Sequence, residues 1–259
     1  MKESGKTVDL NCDFGEGYGA YTFGQDAELL QYVTSVNIAC GFHAGDPHTM
    51  RRAVEQSLAA GAAIGAHPGL PDRLGFGRRE MAITPEEAYD FTVYQIGALS
   101  AFVRAAGGRL QHVKPHGALY HMANSNSAIA EAIVRAAAAT GDALTVYGQS
   151  GSLLLEAARR EGLAVASEVF ADRAYERDGS LMARNKPGAL IADEEQAAAH
   201  AVAMVKNGYA ITVDGERAPV QADTICLHGD GPHAVQFASR IRKALIKAGI
   251  RIEVLDHSK

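Results

Sequence analysis

Ionisable and amide side chains gather just after the ends of six of the seven strands that the sequence predicts. Burying an uncompensated ion costs on the order of several kcal/mol, so a set of this size must pair, hold a metal or meet a polar ligand. We therefore predict that the set forms a functional site. Its members are Asn11, Asp13, Glu16, Asn37, His43, Asp46, His67, Lys114, His116, Glu168, Asp172, Arg173, His228 and Asp230.

Three of these side chains are suited to hold a divalent metal. Asp13 offers a carboxylate oxygen, and His43 and His67 offer imidazoles, which are ligands that such ions accept. They lie far apart in the sequence and lack the local spacing of an HExxH motif. The metal hypothesis therefore depends on their meeting in the fold.

The stretch from Val36 to Pro47 shows how the chain positions such groups. Val36–Ala39 has the character of a buried strand, and the glycine-punctuated turn that follows carries His43 and Asp46. Pro47 suits the first turn of a helix, and Asp46 suits its N-cap. Asp46 thus has two interpretations, a helix cap and a substrate ligand, which the sequence alone does not separate.

The same alternation of short apolar runs and helical patterns continues along the chain, which is typical of a parallel α/β sheet. The clearest helices are predicted from Pro47 to Ala60 and from Pro85 to the glycines at 107 and 108, and a small hairpin is predicted at 209–220. Polar strand ends converge in a closed barrel but spread along the edge of an open sheet, so we favour one barrel domain over 1–259. The predicted strands are Val8–Cys12, Val36–Ala39, Ala63–Ala66, His112–Lys114, Leu144–Tyr147, Ala164–Val169 and Thr224–Leu227.

The amino-acid composition and net charge of the chain argue against some classes of binding partner. The chain has 259 residues, 47% of them hydrophobic, and a net charge of −5 with no basic run, which argues against nucleic acid and anionic membrane surfaces as partners. The amino terminus lacks an apolar signal core and no window spans a bilayer, so we expect a cytoplasmic protein. The three cysteines are expected to be packed thiols, His112 a core residue and His200 a surface residue.

Six blocks of the sequence resemble the LamB/YcsF family. They are DLNCDFGEGYGAY at 9–21, VNIACGFHAGDP at 36–47, GAHPGLPDRLGFGRR at 65–79, HVKPHGALY at 112–120, EVFADRAYERDGSLMARNKPGALI at 168–191 and ICLHGDGPHA at 225–234. The resemblance implies a distorted TIM-like (β/α)7 barrel of the glycoside hydrolase/deacetylase superfamily. It also implies ATP-dependent cleavage of 5-oxo-L-proline to L-glutamate, together with the 5-oxoprolinase subunits B and C.

The implied reaction gives the side chains provisional roles. Since the chain has no GxxxxGK[ST] phosphate loop, we expect a partner to contribute to ATP use while this barrel directs water at the lactam carbonyl. Asp13 and His116 are each a candidate for general base or general acid, Lys114 and Arg173 suit the substrate carboxylate or an oxyanion, and His228 and Asp230 suit an orienting pair. The remaining predicted substrate-binding residues are Asn11, Glu16, Asn37, Asp46 and Glu168.

Two alternative functions remain open at this point. One is a stand-alone, metal-dependent deacetylase or amidohydrolase, which needs neither ATP nor partners. The other is a non-catalytic subunit that binds 5-oxoproline and keeps that affinity without Asp13 and His116.

Overall fold

A closed ring of seven parallel strands forms the centre of the molecule. The computed structural model describes residues 5–21, 26–184, 186–227 and 234–255. The described strands are β1 (Thr7–Phe14), β2 (Ser35–Ala39), β3 (Ala63–His67), β4 (Leu110–Val113), β5 (Thr145–Gln149), β6 (Val165–Phe170), β7 (Tyr209–Ile211), β8 (Arg217–Pro219), β9 (Thr224–Leu227) and β10 (Arg251–Ile252). Strand order around the ring is β1-β2-β3-β4-β5-β6-β9, and β9 closes it by pairing with both β6 and β1.

The predicted seven-stranded, TIM-like α/β barrel is confirmed. Each of the seven predicted strands matches a strand of the ring to within two residues at either end. Strand β10 was not predicted; it pairs with the first residues of β1, ahead of the segment that closes the ring. Strands β7 and β8 pair in antiparallel register and form a separate two-stranded sheet.

The helices follow the strands and cover the outside of the ring. Helix α2 begins after an Asp46 N-cap with proline at its first position, and α3 begins with a Thr84–Glu87 capping box. Helix α4 was not predicted, because it follows β4 almost directly and its N-cap, His116, makes no side-chain capping bond. The described helices are α1 (Asp26–Leu29), α2 (Pro47–Ala60), α3 (Pro85–Ala105), α4 (Gly117–Ser125), α5 (Ser127–Ala139), α6 (Leu153–Arg160), α7 (Glu194–Asn207) and α8 (Ala234–Lys247), with a 3₁₀ turn at Arg73–Gly75.

Polar side chains fill the inside of the ring. Successive side chains of a strand point to opposite faces, and on β1 the alternation separates Asp9, Asn11 and Asp13 from the apolar residues between them. Gly65 on β3 leaves room for the buried His112 of β4, since a Cβ there would lie 2.0 Å from its Nε2. The interior is therefore a hydrogen-bonded network that leads up to the carboxyl ends of the strands.

Two expectations about individual residues can be settled here. All three cysteines are buried free thiols, as predicted. His200, which was predicted to lie at the surface, is instead 4% exposed; its ring packs edge-on to Tyr175 and its Nε2 accepts a hydrogen bond from the Ile211 N–H. In the described ranges, no helix combines the length and the apolar character needed to cross a bilayer.

Candidate active site

A cavity of about 570 Å³ opens at the carboxyl ends of the barrel strands. The structure brings Asp13, His67, Lys114, His116 and Arg173 together on its wall, although they come from four different strand ends. This is the edge of a parallel barrel where catalytic groups are normally found. Of the other predicted site residues, His228 and Asp230 lie outside the described residues.

Asp13 lies at the centre of the polar wall. Its Oδ1 accepts hydrogen bonds from Asn37 Nδ2 at 2.9 Å and Lys114 Nζ at 3.1 Å, and it lies 3.3 Å from His67 Nε2. Burial by itself would raise the pKa of Asp13, but the charge of His67 when that ring is protonated and the ammonium of Lys114 outweigh it and hold the pKa well below its usual range. Asp13 is therefore a carboxylate at neutral pH.

Lys114 is a buried cation whose charge is already balanced. Its Nζ lies 3.1 Å from Asp13 Oδ1, 3.0 Å from Glu168 Oε1 and 3.1 Å from Cys226 Sγ. Burial would lower the pKa of Lys114, but Asp13, Cys226 and Glu168 outweigh it and hold the pKa well above its usual value. An ammonium has three donors, so these contacts engage the whole group and a substrate carboxylate would have to displace one of them.

Two backbone carbonyls fix the protonation pattern of His67 and His116. His67 Nδ1 lies 2.7 Å from the carbonyl oxygen of Lys114, and His116 Nε2 lies 2.8 Å from that of Phe76. A carbonyl oxygen only accepts, so each of these nitrogens must donate. The remaining nitrogens, His67 Nε2 and His116 Nδ1, then face each other with lone pairs at 3.0 Å in the neutral rings.

Backbone strain supports this arrangement. Phe76 has a φ of 55°, in the left-handed region that residues with a side chain rarely adopt. The strained turn aims the Phe76 carbonyl at His116 and packs the Phe76 ring edge-on against it, with ring centroids 5.2 Å apart. Burial and the neighbouring His67 lower the pKa of His116 to about 3, which favours the neutral ring.

His43 and Glu16 complete a candidate cation site. The His43 ring is 1% exposed, stacks on His116 at 3.8 Å and has no hydrogen-bond partner for either nitrogen among the described residues. Glu16 Oε1 lies 3.6 Å from His43 Nε2 and 3.8 Å from His116 Nδ1. One ligand atom from each of Glu16, His43, His67 and His116 lies within 4.8 Å of the others.

This set of donors fits a divalent metal better than the predicted set does. Imidazole and carboxylate are suitable ligands, and a metal-bound histidine usually donates its other N–H to a carbonyl, as His67 and His116 do. The predicted set included His43 and His67, but the third predicted ligand, Asp13, is engaged by Lys114. Glu16 and His116 complete the four-residue set, and their predicted roles as a substrate ligand and an acid–base group remain predictions.

Three residues predicted to bind substrate lie below the cavity instead. Asn11, Asn37 and Glu168 are fully buried and do not belong to the cavity wall. Asn37 Nδ2 donates to Asn11 Oδ1 at 2.7 Å, and Asn11 Nδ2 donates to Glu168 Oε1 at 3.0 Å. They hold Asp13 and Lys114 in place, and the prediction of direct substrate contact is corrected accordingly.

Asp46 acts as a helix cap. Its carboxylate accepts hydrogen bonds from the backbone N–H groups of Gly19, His48 and Thr49 and from the Thr49 hydroxyl. These contacts lower its pKa to about 2. The structure therefore supports the interpretation of Asp46 as a helix cap, and Asp46 is not among the residues that line the cavity.

Several residues of the wall were not identified from the sequence. Arg78 and Glu80 follow the 3₁₀ turn, Tyr120 and His121 lie on α4, and Arg184 lies on the loop after β6. Burial, reinforced by Glu168, raises the pKa of Tyr120 well above its usual value, so the phenol is neutral. The sequence feature that could have identified these residues is their position inside or beside three of the blocks that resemble the family, GAHPGLPDRLGFGRR, HVKPHGALY and EVFADRAYERDGSLMARNKPGALI.

Comparison with known proteins identifies the family. The LamB/YcsF family profile matches residues 8–259. The chain belongs to the LamB/YcsF family. A LamB/YcsF relative from Brevibacillus brevis, named as the A subunit of 5-oxoprolinase, is 57% identical over 247 residues, which cover 95% of this chain and 97% of that protein. A protein of the same name from Tolumonas auensis is 52% identical over 248 residues, which cover 96% of this chain and 99% of that protein.

Solved structures agree with the barrel and its family. The crystal structure of a lactam utilization protein from Thermus thermophilus superposes with a TM-score of 0.92 at 47% identity, covering 96% of this chain and all of that one. A polysaccharide deacetylase from Bacillus cereus superposes with a TM-score of 0.51 at 15% identity, covering 98% of this chain and 94% of that one. The second likeness concerns the fold alone.

Proposed function

We propose that this chain is a subunit of a cytoplasmic, ATP-dependent 5-oxoprolinase, a cyclic amide hydrolase that converts 5-oxo-L-proline to L-glutamate. The observation that carries the proposal is the 52–57% identity, over nearly the full length, to proteins named as the A subunit of 5-oxoprolinase. We propose that subunits B and C are its partners and that ATP is used through the complex. We also propose that the chain is a single barrel domain, since the ring takes strands from Thr7 to Leu227.

The chemistry of lactam opening defines what the cavity must do. An unstrained amide resists water, and transfer of the terminal phosphoryl group of ATP to the lactam oxygen makes its carbon electrophilic. Water then adds to that carbon, the ring C–N bond breaks, and the two protons of the water end on the nitrogen, which becomes the amino group. The phosphoryl group stays on the new carboxyl oxygen until a second water releases it.

Asp13 is the proposed base for the attacking water. Within the described residues its hydrogen bonds all fall on Oδ1, which leaves Oδ2 to orient a water and accept its proton. Asn37 and Lys114 hold the carboxylate in one position, as proton transfer requires. A general base of this kind contributes about 10²–10⁴-fold to the rate.

Glu16, His43, His67 and His116 are proposed to hold a divalent metal. A divalent ion in such a site supplies Lewis-acid polarisation of an oxygen and lowers the pKa of water. The chain itself contributes the fixed tautomers of His67 and His116 and the strained Phe76 turn that maintains one of them.

Arg173 is proposed to bind an anionic group of the substrate. The Lys114 ammonium is engaged by Asp13, Glu168 and Cys226, whereas Arg173 is 3% exposed, lines the cavity and has no partner for its Nε in the described part of the chain. A buried guanidinium in this state favours an oxyanion. We therefore assign Lys114 to positioning Asp13.

A second candidate function is favoured by the imidazole cluster. A metal held by three histidines and a carboxylate beside Asp13 would also suit a stand-alone deacetylase or amidohydrolase. That function predicts amide hydrolysis without ATP and without partner subunits.

Reconstitution tests the two functions against each other. Glutamate release from 5-oxo-L-proline would be measured with this chain alone, with subunits B and C alone, and with all three, each with and without ATP. The proposal predicts ATP-dependent release with the full set only. Release by this chain alone without ATP would support the amidohydrolase, and release by subunits B and C alone would refute a catalytic contribution of the barrel.

A further inference from the structure

A small apolar cluster lies directly beside the polar wall of the cavity. Tyr120, Phe170 and Cys226 are buried and pack together, with the rings of Tyr120 and Phe170 edge-on at 6.1 Å between centroids. The Lys114 Nζ lies 3.1 Å from Cys226 Sγ and 5.8 Å from the centroid of the Phe170 ring. The same Nζ lies 3.1 Å from Asp13 Oδ1. The apolar cluster therefore begins one side chain away from the proposed base.

Leu181 extends this apolar surface along the cavity. Its side chain packs against the cluster, and it is only partly buried. Four residues of this apolar side of the cavity line its wall, namely Tyr120, Phe170, Leu181 and Met182. Because Leu181 both lines the cavity and keeps part of its surface accessible, a ligand in the cavity can contact it.

The loop after β6 holds Leu181 in a defined position. Leu181 forms an antiparallel bridge with Tyr175, a residue that is 1% exposed. The Tyr175 hydroxyl accepts a hydrogen bond from the Phe170 N–H at 2.8 Å, which ties the bridge to the end of the barrel strand. The carbonyl of the next residue, Met182, accepts a hydrogen bond from Arg173 at 2.6 Å. A side chain on such a well-bonded backbone presents a fixed shape, as discrimination by size requires.

The lactam of the proposed reaction has one polar edge and one apolar edge. Its carbonyl, ring N–H and carboxylate are polar, whereas the two ring carbons between the α-carbon and the carbonyl carry only hydrogen. Methylene groups gain free energy when apolar side chains replace the water around them. A lactam with its carbonyl carbon beside Asp13 has its methylenes within reach of the surface that Phe170 and Leu181 form.

We propose that Leu181, together with Phe170, sets the ring size of the lactam that this barrel accepts, by packing against the two ring methylenes of 5-oxo-L-proline. The inference rests on the proposed function, because that function supplies the lactam. The six-membered homologue, 6-oxopiperidine-2-carboxylate, has one more methylene to fit against the same surface. One methylene in an apolar pocket is discriminated by about 10- to 200-fold, so this surface is sufficient to disfavour the larger ring.

Binding of the two lactams to the purified full-length chain tests the inference without partners or turnover. Titration calorimetry would compare 5-oxo-L-proline with 6-oxopiperidine-2-carboxylate in the wild type and in Leu181→Ala. Leu181→Val removes less of the side chain and provides the test if Leu181→Ala fails to fold. Leu190→Ala is the matched control, because Leu190 lies on the same loop, is 54% exposed and is not among the residues that line the cavity.

The wild type should bind 5-oxo-L-proline at least about tenfold more tightly than the six-membered lactam. Leu181→Ala should narrow that ratio at least about fivefold and Leu181→Val by a smaller factor, because each makes room for the extra methylene, whereas Leu190→Ala should leave the ratio unchanged. The inference would be overturned if the wild type bound no 5-oxo-L-proline or bound both rings equally. It would also be overturned if the ratio were the same in the folded Leu181 variants as in the wild type.

Glutamate release by the reconstituted complex separates this inference from the proposed function. ATP-dependent release together with an unchanged ratio of lactam affinities would refute only the role of Leu181. The expected affinity ratios without ATP-dependent release would refute only the proposed function.

Discussion

His67 and His116 present ring nitrogens to each other at 3.0 Å while each ring donates its other N–H to a backbone carbonyl. When both rings are neutral, this arrangement directs two lone pairs into the same small volume, which only a proton or a metal ion can occupy favourably. The stacked His43 ring and Glu16 surround that volume. We propose on this basis that the buried histidine cluster binds a cation.

The first prediction concerns metal content. The protein should retain about one ion per molecule when it is purified without a chelator and then loaded with a divalent transition metal. His116→Gln or His43→Gln should each reduce metal affinity by at least tenfold, because each substitution removes a ligand. Elemental analysis after gel filtration measures this. His48→Gln, an exposed histidine on α2, is the matched control. If the wild-type protein retains no metal, the proposed metal site is refuted.

The second prediction concerns the buried Lys114 ion network. Lys114→Met leaves Asp13 and Glu168 without their cation and should lower the free energy of unfolding by about 3–5 kcal/mol. Urea denaturation monitored by circular dichroism measures the change. The double variant Lys114→Met/Glu168→Gln should recover part of that loss, because it removes one of the two uncompensated carboxylates. An exposed lysine, Lys206, provides the control, and a loss no larger than that of Lys206→Met would show that the network is not stabilising.

The third prediction concerns pH and the Asp46 cap. The backbone N–H groups of Gly19 and Thr49 lower the pKa of Asp46 to about 2. A depressed carboxyl pKa stabilises the fold above the unfolded-state value of about 4, and that stabilisation is lost as pH falls toward 2. Asp46→Ala should therefore cost about 1 kcal/mol near neutral pH and progressively less below pH 4. Denaturation curves at a series of pH values measure it, and a difference that does not change with pH would contradict the assignment.

Much of the fold was predictable because its signals are local. The helix that follows Asp46-Pro47 was predicted from its cap and its glycine stop, and the ring strands from short apolar runs. The polar interior of the ring, with Asp9 and Asn11 buried on β1, was not predicted. Helix α4 escaped prediction because its start lacks a side-chain cap.

The chemistry of the site was less predictable. Strand-end position brought Asp13, His67, Lys114 and His116 to one place, as expected from barrel geometry. The role of each of these side chains depends on distances that cannot be read from residue spacing in the sequence. Examples are the distance between Lys114 and Asp13 and that between the Phe76 carbonyl and His116. For the same reason the sequence predicts Glu168 as a substrate ligand, whereas the structure buries it against the Lys114 ammonium.

Replacement of one carboxylate tests most directly whether this barrel carries out lactam opening. Asp13→Asn keeps the size of the side chain but removes the base, whereas Asp46→Asn changes a helix cap outside the cavity and serves as the control. ATP-dependent glutamate release would be measured with each variant in the complex with subunits B and C, after circular dichroism has shown that both are folded. Loss of the base should reduce glutamate release by at least about 10²-fold in Asp13→Asn, whereas Asp46→Asn should release glutamate at a near-normal rate. Near-normal release by folded Asp13→Asn would contradict the catalytic role of this carboxylate.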